Sequence, residues 1–301
     1  MATFNNLRFE DDLTSCPIVF LHIPKTGGTS FIEVLNEVYG TVVRGDDNND
    51  IGRKLTKQLQ SSVPDVICGH FNMSAPFYKE RLPNYAHVTV IRDPVERVLS
   101  QLYYLKNTPS HPFYNEIQNL SIADIYNSKE NLAYKYEIAD RQLTLVAGFV
   151  SLSSKRGTKL KRAIDNLQSR FSFFGLCEEM DDFINLCYKK FGWSSVPEIP
   201  RSNCSPADRN DYIVSSEKDL ELIRENNKYE MQWYDWATKL HKNLYSVTLI
   251  AVSQDLTVKP RAIEPELAEP EIIVVKLNWW KRLKDRLKKA LSWRTNANKD
   301  N

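Results

Sequence analysis

The chain lacks most of the features that give a protein class away at once. Its five cysteines among 301 residues, Cys16, Cys68, Cys177, Cys187 and Cys204, are odd in number and far apart. No Cys-x-x-Cys pair or Cys/His cluster is present, which argues against a disulfide framework and a structural zinc site. No run of about eighteen apolar residues occurs, and the opening MATFNNLRFEDDLTSCP carries acids where a signal peptide needs an apolar block. These absences predict a cytoplasmic protein. A large excess of charge is also missing: 40 Lys plus Arg stand against 38 Asp plus Glu, a net +2, which gives no reason to expect a nucleic-acid partner.

The balance hides a split. From Lys276 to Arg294 eight basic residues meet one acid, Asp285, a local +7 that leaves the remainder at −5. With 42% hydrophobic and 26% charged residues the body reads as globular. Two Pro/Glu clusters, Glu264-Pro265-Glu266 and Glu269-Pro270-Glu271, mark a linker. The chain divides there into a domain over 1–263 and a tail over 264–301. In the tail, Asn278 to Arg294 predicts a basic amphipathic helix with Trp279, Trp280, Leu283, Leu287 and Leu291 on one stripe. Such a helix suits an anionic membrane surface or self-association.

Ile18 to Leu21 reads as a strand ended by Pro24 and a glycine pair, and Thr29 to Tyr39 as a helix. Val66 to Cys68 and His87 to Ile91 read as buried parallel strands. Asp93 caps and Pro94 opens a second helix running through Leu105. Further on, helical spacing covers Asn131 to Val146, Lys159 to Gln168, Met180 to Phe191 and Glu217 to Lys242, while Phe171 to Cys177 and Ser246 to Val252 read as strands. The fold class is α/β: a P-loop-like parallel sheet flanked by helices, a more helical second half and a C-terminal amphipathic helix.

The informative segment is FLHIPKTGGTS, Phe20 to Ser30. A strand, Lys25, Thr26, Gly27, Gly28, Thr29, Ser30 and then a helix bring backbone N–H groups, a dipole end, hydroxyls and an ammonium to one point, which suits phosphate or sulfate. In the nucleotide-triphosphate loop the lysine follows the second glycine; here it precedes the pair. No apolar run ends in an acid well placed for Mg²⁺.

In these residues the chain resembles the carbohydrate sulfotransferases, particularly the branch of heparan sulfate 2-O-sulfotransferase and its bacterial relatives. The resemblance implies that Lys25 to Ser30 bind the 5′-phosphosulfate of 3′-phosphoadenosine-5′-phosphosulfate (PAPS). It further implies that VTVIRDPVERVLSQLYYL binds the 3′-phosphate through Arg92 and Ser100, and that Ser100 holds Lys25 back until the nucleotide arrives. RSNCSPAD resembles a loop closing over the nucleotide, with Arg201, Asn203 and Ser205 as contacts, and ADRQLTLVAG resembles a helix with Arg141 and Gln142 toward the cleft. The similarity covers about Pro17 to Leu244 and fades after Ser100. It departs late in the chain, where Trp233-Tyr234 replaces a Leu-Tyr pair and Tyr229 stands where an acid is expected.

The expected reaction moves a sulfuryl group from PAPS to a hydroxyl of a saccharide or glycolipid, leaving adenosine 3′,5′-bisphosphate, with no metal required. Lys25 stabilises charge on the bridging oxygen. The base is assigned to His70, just past a strand end in VICGHFNMS and matched by a Gly-His segment of the resembled branch. His22 and Glu33 are its rivals. Phe71, Tyr103 and Tyr104 read as core ahead of sugar-stacking residues, and Lys155, Arg156, Lys159, Lys161 and Arg162 as a solvated helix start ahead of an acceptor grip. The alternatives are a kinase-like phosphotransferase and a non-catalytic, membrane-associated nucleotide-binding protein.

Overall fold

The computed structural model describes residues 12–45, 48–58, 62–74, 85–128, 130–148, 156–199 and 216–254. Five parallel strands form one sheet: β1 (Ile18–Leu21), β2 (Val42–Gly45), β3 (Val66–Gly69), β4 (Ala86–Ile91) and β5 (Phe173–Leu176). Their order is β2-β3-β1-β4-β5. The register aligns Leu21 of β1 with Gly69 of β3 and Thr89 of β4, so these chains leave the sheet near one level.

Alternation along the strands supplies two faces. Ile18, Phe20, Val66, Cys68, Val88, Val90 and Phe173 pack with α1 (Gly28–Val38) and α8 (Met180–Phe191). Val19, Leu21, Ile67, Ile91 and Phe174 pack on the other face with α2 (Asn48–Gln58), α6 (Arg141–Ala147), α7 (Arg156–Arg170) and α10 (Lys228–Gln254). Both faces are covered, which is why the strands read as continuous apolar runs. A third apolar cluster joins α3 (Pro94–Lys106), α4 (Tyr114–Ile117), α5 (Ile122–Asn127), a π-helical turn (Tyr134–Ile138) and α9 (Glu217–Asn226).

The strand order locates the crevice. The chain leaves β1 toward β2 at one edge, whereas after β4 it travels toward β5 at the other. Adjacent β1 and β4 therefore send their connections in opposite directions, and ligands bind at the carboxyl ends of such a pair.

Several expectations need correction. Ser246 to Val252 is no strand but the last part of α10; its β-branched run is ambiguous between the two, and the helical stretch that began at Lys228 continues through it. The expected helix over Asn131 to Val146 is broken: a π-turn ends at Ile138 and Asp140 adopts φ 46 before α6 begins. The helix over Glu217 to Lys242 is two, divided at Asn227. The sequence pattern does not predict strand β2. The linker over 264–271, the tail helix, and Arg201, Asn203 and Ser205 lie outside the described residues.

Candidate active site

Two strand-to-helix junctions meet at this crevice. In the first, β1 passes through His22, Ile23 and Pro24 to Lys25, whose φ of 67 is left-handed. A non-glycine residue in this region costs about 1–3 kcal/mol and persists where its surroundings enforce it. Thr26 is fully buried and its hydroxyl donates to the Ile23 carbonyl at 2.9 Å, so that hydroxyl pins the turn. Gly27 follows with φ 79 as the N-cap of α1, which has no side-chain cap and no acid in its first turn. Gly28 is required by a close approach: a Cβ there would fall on the His22 ring. The first N–H groups of any helix lack partners within it, and those of α1 are flanked in the chain by Lys25, Thr29 and Ser30. An uncapped, acid-free helix start beside an ammonium is a donor set that fits a phosphate or sulfate.

The second junction follows β4. Asp93 caps α3, its Oδ1 accepting from the N–H groups of Val95 at 2.9 Å and Glu96 at 3.0 Å, as the sequence predicts. Arg92 lies just before it and its side chain keeps 20% exposure. Its Nη1 donates to the Lys25 carbonyl at 3.2 Å and its Nη2 meets Glu96 Oε2 at 3.4 Å. The two motifs are thus in direct contact. Glu96, Ser100 and Tyr104 follow Arg92 at single-turn spacing along one side of α3. Ser100 is 2% exposed. Lys25 Nζ lies over the Tyr104 ring, 4.8 Å from its centroid, a cation–π contact that sequence reasoning missed by reading Tyr104 as core.

His70 enters from β3. Gly69, at φ 153, sits so close to the Gly45 carbonyl of β2 that a Cβ would overlap it, and the His70 N–H donates to that carbonyl at 3.2 Å. Its Nδ1 is 2.8 Å from the His22 carbonyl. A carbonyl only accepts, so Nδ1 carries the hydrogen and Nε2 is the basic nitrogen of the neutral ring.

His22 is 4% exposed, and its ring centroid is 4.3 Å from that of His70. Burial, reinforced by the positive charges of Arg44 and Lys25, holds its pKa well below the ordinary imidazole value. It is a neutral support under the loop and a poor rival as base. Glu33 stands beyond the first turn of α1.

Of the other candidates, Phe71 is core, Lys159 donates to Thr144 Oγ1 at 3.1 Å, and Lys161 and Arg162 are exposed on α7. Tyr229 stands where the resemblance called for an acid, and the residue after it, Glu230, is fully buried. Gln142 is buried as well and faces Arg92 rather than open solvent.

The sheet thus carries a glycine loop at its central strand and an arginine from the next strand in contact with that loop. The model of the sulfotransferase family fits residues 13–237, and the chain belongs to that family. Its activity is therefore sulfuryl transfer in general terms; the heparan sulfate 2-O-sulfotransferase branch is not singled out. No curated protein sequence matches the chain. Among solved structures, it is similar to mouse sulfotransferase SULT7A1 complexed with PAP, at 16% identity over 74% of this chain and 69% of that one, with a TM-score of 0.33. Among the described residues no helix is long and apolar enough to cross a membrane, and no group of three His, Cys, Asp or Glu is placed to hold a metal ion.

Proposed function

We propose that the protein is a PAPS-dependent O-sulfotransferase acting on a hydroxyl of a carbohydrate or glycolipid. The observation that carries this reading is the 3.2 Å bond from the Arg92 guanidinium to the Lys25 carbonyl, because it puts the loop for one phosphate and the arginine for another at a single crevice. PAPS, when bound, supplies an activated sulfuryl group that leaves adenosine 3′,5′-bisphosphate on in-line displacement.

The chain's own residues divide the work. The backbone of Thr26, Gly27, Gly28, Thr29 and Ser30 holds the 5′-phosphosulfate end, while Arg92 and Ser100 hold the 3′-phosphate. Arg201, Asn203 and Ser205 complete the nucleotide site from beyond the described residues. Lys25 stabilises negative charge gathering on the leaving oxygen. His70 accepts the acceptor hydroxyl's proton at Nε2 while its Nδ1–H stays anchored on His22. Buried His22 stays neutral, so its own ring adds no charge against the imidazolium that forms. The basic stretch from Lys276 to Arg294 is kept as the contact for an anionic lipid surface or for a second copy of the chain, in a cytoplasmic setting.

A thermal-shift series tests the reading, since a ligand that binds the native state stabilises it by mass action. Adenosine 3′,5′-bisphosphate without Mg²⁺ raises the midpoint, and labelled PAPS then transfers sulfate to members of a saccharide panel. A response to Mg-ATP alone would overturn it in favour of a kinase-like enzyme.

A further inference from the structure

Gln142 is 0% exposed, yet its carboxamide is oriented wholly by polar partners. Its Oε1 accepts from the Arg92 N–H at 2.9 Å, and its Nε2 donates to the Arg92 carbonyl at 2.9 Å and to Glu230 Oε1 at 3.0 Å. A primary amide has two N–H donors and one carbonyl, and all three are used here. Beyond Ile91 the ladder between β4 and its neighbours has ended. The carboxamide therefore takes the place of a neighbouring strand for the N–H and the carbonyl of Arg92, the residue whose side chain enters the crevice.

The amide is fixed in turn from behind. Glu230 Oε2 accepts from the Leu143 N–H at 3.2 Å, and its Oε1 is 3.5 Å from Nε of Arg97, both side chains being 0% exposed. Arg97 is itself tied to the end of the π-turn, donating to the Glu137 carbonyl at 3.0 Å and the Ile138 carbonyl at 2.7 Å. Among the described residues the guanidinium of Arg92 makes bonds of 3.2 and 3.4 Å, so its place in the crevice depends on its backbone.

We infer that Gln142 is the positioning residue for Arg92, with Glu230 and Arg97 holding its amide in the one orientation that serves both polar groups of the Arg92 backbone. Gln142 touches no ligand in this scheme; it sets the preference for a 3′-phosphorylated nucleotide through Arg92. The inference rests on the proposed reading that Arg92 takes the 3′-phosphate.

The test compares dissociation constants of adenosine 3′,5′-bisphosphate and of AMP, which lacks the 3′-phosphate, for the wild-type chain, Gln142→Met and Arg92→Ala. Gln142→Met keeps the length and removes the hydrogen bonds. Its preference for the bisphosphate is expected to fall about tenfold or more, as misplacement of a binding group does, while AMP affinity stays within about twofold. In the Arg92→Ala background the same change is expected to alter the preference no further. If Gln142→Met does not fold, the same ratio is read on Glu230→Gln. A wild-type preference that survives in the variant, with only the melting temperature lowered, overturns this inference alone. A wild-type protein without any preference overturns the reading of Arg92 and this inference with it.

Discussion

The two strand-to-helix junctions are built from the same parts and finished in opposite ways. After β4 the helix start is closed: Asp93 accepts two of its N–H groups and Glu96 adds an acid to the first turn. After β1 the helix start is open, with Gly27 at the cap position, no side-chain bond and no acid. A closed end has spent its donors and offers an anion nothing, so the second junction contributes through the Arg92 side chain. An open end offers backbone donors, so the first contributes through its backbone. The comparison teaches that an anion site of this kind is marked as much by the missing cap as by the glycines.

The largest effects should come from Lys25 at the open junction and from His70 beside it. Lys25→Ala is expected to lower kcat about a thousandfold, the scale on which loss of a preorganised charge is felt, measured as sulfate transferred from labelled PAPS. His70→Ala should cost about a hundredfold or more in kcat with adenosine 3′,5′-bisphosphate affinity little changed. A fully active variant would remove the base assignment and leave the fold and the phosphate loop standing. Ser30→Glu breaks the comparison directly by giving the open junction the acid it lacks. The helix should gain about 0.3–1 kcal/mol, and nucleotide binding should weaken about tenfold or more. Calorimetry reading unchanged nucleotide affinity in that variant would show that the anion does not sit at this helix end.

Both junctions were legible in the sequence because their signals are local: a strand, a glycine pair or an Asp-Pro step, then helical spacing. What was hidden depends on partners distant in the chain. Asn227 divides the late helix because its side chain is claimed elsewhere, accepting from the Asp140 N–H at 2.9 Å and donating to the Tyr126 hydroxyl at 3.0 Å. The same bond favours the break at Asp140 inside an otherwise regular helical pattern. Nothing local in the sequence marks Glu230 for burial; Arg97 and Gln142, distant in the chain, give it a reason to be buried. Strand β2 is four residues long and half exposed, too brief for periodicity to register. The ring of Tyr104 is noticed only once Lys25 lies over it.

The open junction also rests on a buried imidazole, which the closed one does not, and pH should separate them. Because the folded-state pKa of His22 lies below its unfolded value, its contribution to stability is fully present above about pH 6.5 and is lost as pH falls toward the folded value. His111 and His241, both buried and lowered to about 4, add slope of the same sign and must be subtracted. Denaturant titrations of wild type and His22→Gln between pH 7 and pH 5 should therefore show a shallower loss of stability in the variant. Parallel slopes would mean that His22 takes up its proton in the folded state without penalty.

The smallest effect belongs to the closed junction and completes the contrast. Asp93→Ala strips the cap from α3 and exposes the Val95 and Glu96 N–H groups it served, which should cost about 1 kcal/mol of stability. Opening this end does not by itself create an anion site. Glu96 stays in the first turn, and the Asp93 N–H remains held by Glu178 Oε1 at 3.0 Å, so negative charge still guards the helix start. Sulfate, titrated as a probe of free helix ends, should protect wild type and Asp93→Ala equally. Added protection in the variant would show that the cap alone distinguishes the two junctions and that the flanking acids contribute nothing.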